Sequence, residues 1–81
     1  MPEIFAGVAG LVGQVTDVPA DQITEDAQFD LLANWSSFAA LRLLAGIEEQ
    51  FGIRLDLQRY FAIRDVGGLV AAVSAKMVRH G

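Results

Sequence analysis

The segment from Ser37 to Phe51, SFAALRLLAGIEEQF, carries its apolar residues at helical spacing and runs into Gly52. Phe38, Leu41, Leu44, Ile47 and Phe51 fall on one stripe with Leu43 beside it, while Arg42, Gly46, Glu49 and Gln50 fall opposite. Gly52 is the stop signal, because a glycine just past the last periodic residue accepts the left-handed backbone that closes a helix. An amphipathic helix with so wide an apolar face has to be buried against other elements. The rest of the chain must supply them.

The flanking segments are helical too. Pro2 suits a first helical turn and Glu3 adds favourable charge there. Ile4, Phe5, Val8, Leu11, Val12 and Val15 then recur at helical spacing, which predicts a first helix over residues 3–16. Ala6, Gly7, Ala9, Gly10 and Gly13 make up its other face, which periodicity puts away from the core. Interior glycines cost about 0.8–1 kcal/mol each relative to alanine. The face is either a weak stretch rescued by packing of the apolar side or a small-residue surface that another backbone approaches. At the far end, Asp65 is placed to cap a last helix whose stripe is Val66, Leu69, Val70, Val73 and Met77. That helix is expected to end around Arg79-His80-Gly81, where basic residues suit its C-terminus.

Between these lie two connections. Thr16 to Trp35 is a loop of about twenty residues, long against the usual 4–6 or so, and it should pack its own anchors. Ile23, Phe29, Leu31 and Leu32 are the candidates, and a short helical turn near residues 20–23 is expected. Ile53 to Leu57 alternates like a strand but has no predicted partner, so it reads as an extended connector that buries Ile53 and Leu55. Leu57 to Phe61 should form a short helix with Tyr60 or Phe61 facing inward. The fold class is therefore all-α: a single domain over 1–81, a small four-helix bundle with three long helices, one short helix and a long loop between the first two.

Composition removes several classes of function. The chain has no cysteine, hence no disulfide, thiolate nucleophile or sulfur-ligated metal. A net charge of −4 repels phosphate backbones and argues against nucleic acid. No apolar run reaches membrane-spanning length, and Met1-Pro2-Glu3 lacks a basic signal start, so a cytoplasmic protein is expected. His80, the only histidine, sits next to the C-terminus, which disfavours a Ser–His arrangement. Gly7, Gly10 and Gly13 follow no strand and precede no phosphate-loop lysine. Glu48 and Glu49 are helical neighbours that diverge by about 100° and do not form an acid–base pair. Catalysis by this chain alone is disfavoured.

What remains is a hydroxyl. Ser37 stands where a polar loop meets a helix start, at a mouth that a large partner can reach. Unpaired backbone N–H groups and the helix dipole favour a phosphate there. Ser36 is the rival position and can also cap the helix. Trp35 either covers a group attached at this point, anchors a partner, or folds onto Leu31 or Leu32. Phe38, Arg42, Glu48 and Glu49 are further candidates for partner contacts.

Several of these segments together resemble the acyl carrier protein family, which includes peptidyl carrier domains. Ile-Thr-Glu-Asp-Ala-Gln-Phe (residues 23–29) is similar to the family's loop segment. Ile47-Glu48-Glu49-Gln50-Phe51-Gly52-Ile53 is similar to its exit from the second helix, and Ile63-Arg64-Asp65-Val66-Gly67-Gly68-Leu69 to its entry into the last. Counting back from Phe51-Gly52 and forward from Phe29 gives one register. Both put Ser37 on the serine that receives the 4′-phosphopantetheine arm from coenzyme A. The family motif is Asp-Ser-Leu; here it is the atypical Ser36-Ser37-Phe38, and Arg42 stands on a stretch that is usually acidic. The resemblance implies a carrier and not an enzyme. Its arm would hold acyl intermediates as thioesters, with chains sheltering between the second and third helices against Leu44, Ile47 and Ile63. The implied partners are a phosphopantetheinyl transferase and acyl-loading and condensing enzymes, with the carrier itself a monomer and no membrane involved. The changed surface fits polyketide or related specialised biosynthesis. The alternative is a docking module that has lost the arm and binds enzymes through the second helix.

Overall fold

The computed structural model describes residues 2–78. The first helix, α1, runs Pro2–Thr16; α2 is Ser37–Phe51, α3 Leu57–Ala62 and α4 Val66–Val78. Single 3-10 turns at Ala20–Gln22 and Phe29–Leu31 punctuate the long loop. The first of these is where the sequence predicted a helical turn. The basic C-terminal residues expected to finish α4, Arg79 and His80 with Gly81, lie outside the described residues.

α1 is the central element and packs against both α2 and α4. Val8, Val12, Leu43, Ile47, Val66, Leu69 and Val73 have no exposed surface, and Ile4, Ile23, Phe29 and Tyr60 close the same core. Burying a side chain of this size contributes about 1.5–3 kcal/mol, and α1, α2 and α4 all contribute fully buried residues to the core. The connector after α2 behaves as expected: Ile53 and Leu55 are half-buried against the core. Of the two aromatic candidates on α3, Tyr60 faces inward and Phe61 is exposed.

Three expectations are corrected. The buried face of α2 is Ala39, Ala40, Leu43 and Ile47, whereas Phe38 is 71% exposed and Leu41 48%. Apolar residues surround the first two turns of α2, so spacing could not choose a face. Ala39 and Ala40 share the buried face with Leu43 and Ile47, and their small side chains let α3 come close enough for the Tyr60 hydroxyl to donate to the Ala40 carbonyl. Leu31 is exposed and anchors nothing, while Met77 at the end of the α4 stripe is exposed as well. Finally, the small-residue face of α1 is not turned away from the protein. Ala9 is buried, and a Cβ on Gly7 would meet the Phe51 ring at 2.7 Å. At Gly13 it would meet the Val18 carbonyl oxygen at 2.8 Å. The backbone that comes close is the chain's own.

The ends of the helices are closed by local chemistry. Gly52 takes the left-handed conformation, φ 66°, and its N–H donates to the Glu48 carbonyl at 3.0 Å. Asp56 and Asp65 cap α3 and α4 through hydrogen bonds to the N–H groups of Arg59 (3.4 Å) and Gly68 (2.7 Å). Pairing across the long loop was not legible in the sequence. Phe29 N–H donates to the Arg64 carbonyl at 3.0 Å, Val66 N–H to the Ala27 carbonyl at 3.0 Å, and Gly67 N–H to the Glu25 carbonyl at 2.7 Å. The end of the loop is thereby stitched to the α3–α4 junction, which holds it beside the start of α2.

Candidate functional site

The start of α2 is built by three consecutive residues. Asn34 adopts a left-handed backbone, φ 63°, and its Nδ2 donates to the Thr16 carbonyl at 2.9 Å, fastening the loop to the end of α1. Trp35 stacks on the buried Phe29, ring centroids 4.8 Å apart and planes at 15°. It therefore folds inward onto Phe29, while Leu31 is exposed and Leu32 is half-buried against the same core. Ser36 is extended, φ −157° and ψ 170°, and its Oγ accepts from the Ala39 N–H at 3.1 Å. That is an N-cap, and it commits the Ser36 hydroxyl to the helix.

Ser37 is the first residue of α2. It is exposed, and among the described residues no side-chain hydrogen bond engages its hydroxyl. The first helical hydrogen bond runs from Ala40 N–H to the Ser36 carbonyl at 2.9 Å, so the Ser37 and Phe38 amides precede the ladder and are free to meet an anion. Two adjacent serines thus have different occupations: one oxygen holds the helix, the other faces outward.

Ser37 stands at the edge of a pocket of about 430 Å³. Phe29, Trp35, Tyr60 and Phe61 supply aromatic walls, with Asp30 and Arg64 at its polar parts. Sequence reasoning found Ser37, Trp35 and Phe29 but missed Arg64 and the role of Tyr60. Tyr60 lies on the short α3, whose six residues of pattern do not resolve a face, and Arg64 lies in the α3–α4 junction, where no periodicity applies.

The proposed partner residues separate. Phe38 and Leu41 form an exposed apolar pair one turn apart, and the Arg42 guanidinium lies 5.9 Å from the centroid of the Phe38 ring. No acidic residue occupies the first turn of α2. Glu48 is half-buried and its Oε2 accepts from the Leu55 N–H at 3.0 Å, so this carboxylate holds the connector to α2. Glu49 is exposed.

Of the residues expected to shelter a chain between α2 and α3, Ile63 lines the Ser37 pocket and Leu44 and Ile47 do not. Ile47 is wholly buried in the core, and neither Leu44 nor Ile47 lines the Ser37 pocket or a second one of about 430 Å³. The second pocket lies between α3 and α4, bounded by Leu55, Arg59, Tyr60, Ile63, Ala72 and Ala75 among others. Tyr60 and Ile63 line both. Burial raises the Tyr60 pKa, so its hydroxyl stays a neutral donor.

An exposed unpaired hydroxyl, free first-turn amides and an adjoining pocket fit a phosphate-linked chain attached at Ser37. Among the described residues no group of three or more metal-ligating side chains comes together. Comparison with known proteins gives two findings. A family model described as a phosphopantetheine attachment site matches residues 6–73. An acyl carrier protein of Kineococcus radiotolerans is 29% identical over 72 residues, covering 89% of each chain.

Proposed function

This chain belongs to the acyl carrier protein family, through a phosphopantetheine attachment domain that spans residues 6–73, and from that premise we propose that Ser37 is the residue that bears the arm. Members of the family are carriers and not enzymes, and they hold 4′-phosphopantetheine covalently. The observation that carries the assignment is the contrast between the two serines: Ser36 Oγ is taken by the Ala39 amide, while Ser37 Oγ is exposed and unengaged.

The Ser37 oxygen attacks the phosphorus of coenzyme A that bears the pantetheine, and the P–O bond to the second phosphate breaks. Adenosine 3′,5′-bisphosphate leaves with that electron pair, and the serine proton goes to a base on the transferase. Nothing in the described surroundings of Ser37 offers that base: Asp30 shares the pocket but accepts no hydrogen bond from the hydroxyl. Activation therefore belongs to the transferase and its metal ion. The first turn of α2 favours the phosphodiester by about 0.3–1 kcal/mol through the helix dipole. When bound, the arm supplies a thiol that this cysteine-free chain lacks, and acyl groups are held there as thioesters.

Phe38, Leu41, Arg42 and Glu49 are the contacts offered to partners: the transferase and the enzymes that load and condense acyl groups. An α2 surface led by aromatic, aliphatic and cationic groups suits a dedicated partner set, as in polyketide or related specialised biosynthesis. We place this carrier domain in the cytoplasm as a monomer; among the described residues no helix is long and apolar enough to cross a membrane. Incubation with coenzyme A and a permissive transferase, followed by intact mass, tests the assignment. A gain of one phosphopantetheine that vanishes in Ser37→Ala supports it. No gain with several transferases would move the chain to the alternative, an armless docking module.

A further inference from the structure

The two pockets on either side of α3 share only two lining residues, Tyr60 and Ile63. One pocket opens beside Ser37; the other reaches the α4 residues Ala72 and Ala75. Tyr60 is 4% exposed, and its hydroxyl crosses from α3 to donate to the Ala40 carbonyl on α2. Ala40 itself lines the Ser37 pocket, so this hydrogen bond lies along its floor. The Tyr60 ring is also held edge-on by Phe61, centroids 5.3 Å apart and planes at 63°. The ring is thus fixed by a polar contact at its tip and an aromatic one at its side.

Resting on the assignment of Ser37 as the tether, we propose that Tyr60 is a partition that closes the passage between the two pockets and limits this carrier to short acyl groups. The pocket beside Ser37 takes the base of the arm and a small cargo. A longer alkyl chain finds no continuous apolar channel inward. To reach the pocket under α4 it must displace a buried ring whose hydroxyl would then lose its acceptor, and a buried polar group left unpaired is costly. Long chains therefore lie outside the bundle and stay open to attack. Tyr60 acts on cargo length and not on attachment, because its hydroxyl is committed to the Ala40 carbonyl and makes no hydrogen bond to Ser37.

The test uses the full chain loaded at Ser37 with acetyl or octanoyl phosphopantetheine from the corresponding coenzyme A thioesters. Thioester cleavage by hydroxylamine reports exposure, and the amide resonances of Ala72 and Ala75 report entry into the far pocket. In the wild type the two cargoes should be cleaved at rates within about twofold of each other, with Ala72 and Ala75 unmoved by octanoyl. In Tyr60→Ala the octanoyl thioester should be protected about fivefold or more, since each buried methylene favours the enclosed state, and both resonances should shift. Tyr60→Phe keeps the ring but removes its hydrogen bond to the Ala40 carbonyl, so octanoyl protection should fall between those of the wild type and Tyr60→Ala. Protected octanoyl with shifted Ala72 and Ala75 in the wild type overturns the partition even if Tyr60→Ala fails to fold. A folded Tyr60→Ala that leaves octanoyl exposed overturns it as well. Failure to load at all removes the Ser37 assignment beneath it, which distinguishes the two failures.

Discussion

Ser36→Ala and Ser37→Ala, adjacent and chemically identical changes, should have opposite consequences. Ser36 Oγ accepts from the Ala39 N–H at 3.1 Å with its backbone in the extended cap conformation. Alanine there removes the acceptor and leaves a first-turn amide to water. Such losses cost about 0.5–2 kcal/mol; because Ser36 is exposed and solvent reaches the freed amide, about 1 kcal/mol is expected. For a domain of this size that is a fall in Tm of about 4–8 °C. With a urea slope of about 1 kcal/mol/M it is a midpoint shift of about 1 M. Ser37 is exposed, already helical and unpaired, and alanine is the better helix former, so Ser37→Ala should change stability by less than about 0.5 kcal/mol in either direction. Urea unfolding followed by circular dichroism on the unmodified proteins measures both. If Ser37→Ala is the destabilising change and Ser36→Ala the silent one, the cap and the tether have been exchanged and the register is wrong by one residue.

Other consequences are read in the same assays. Burial raises the Tyr60 pKa above the ordinary value of 10, so between pH 10 and higher pH the unfolded chain loses that proton while the folded one keeps it. Stability therefore falls with rising pH by up to about 1.4 kcal/mol per unit, and Tyr60→Phe should remove that component of the alkaline slope. Gly10→Ala should stabilise by about 0.8–1 kcal/mol, since nothing lies within 4 Å of the added carbon. Gly13→Ala should give none of that gain or a net loss, because the carbon meets the Val18 carbonyl at 2.8 Å. Ser36→Asp preserves the cap and supplies the acid usual in the family, so it should raise the initial rate of phosphopantetheine loading without lowering Tm.

The sequence was most informative where one residue type had one physical use. Gly52, Asp65 and the stripes of α1 and α4 fall where spacing and capping chemistry put them, because each has few alternatives. Ser37 was singled out by register from two anchors, Phe29 and Phe51-Gly52, and the structure places it exposed at the start of α2. The face of α2 was misread because Phe38, Ala39, Ala40, Leu41, Leu43 and Leu44 leave almost no polar side to orient the helix. The face that is buried also meets a long-range contact, the Tyr60 hydroxyl on the Ala40 carbonyl, which no local pattern encodes. The same holds for the pairing of Ala27 and Phe29 with the α3–α4 junction, since backbone hydrogen bonds leave little trace in residue type. Glu48 shows the limit for charges: it stood as a candidate for partner contacts, and its carboxylate accepts from a backbone amide seven residues on.

Purification of this protein from cells that make it, followed by fragmentation mass spectrometry across residues 34–42, tests the central claim most directly. The account predicts a phosphopantetheine on the Ser37 oxygen, an unmodified Ser36, and loss of the pathway's product in Ser37→Ala. A modification found on Ser36, or a bare Ser37 in cells whose pathway runs undiminished with alanine there, would contradict it.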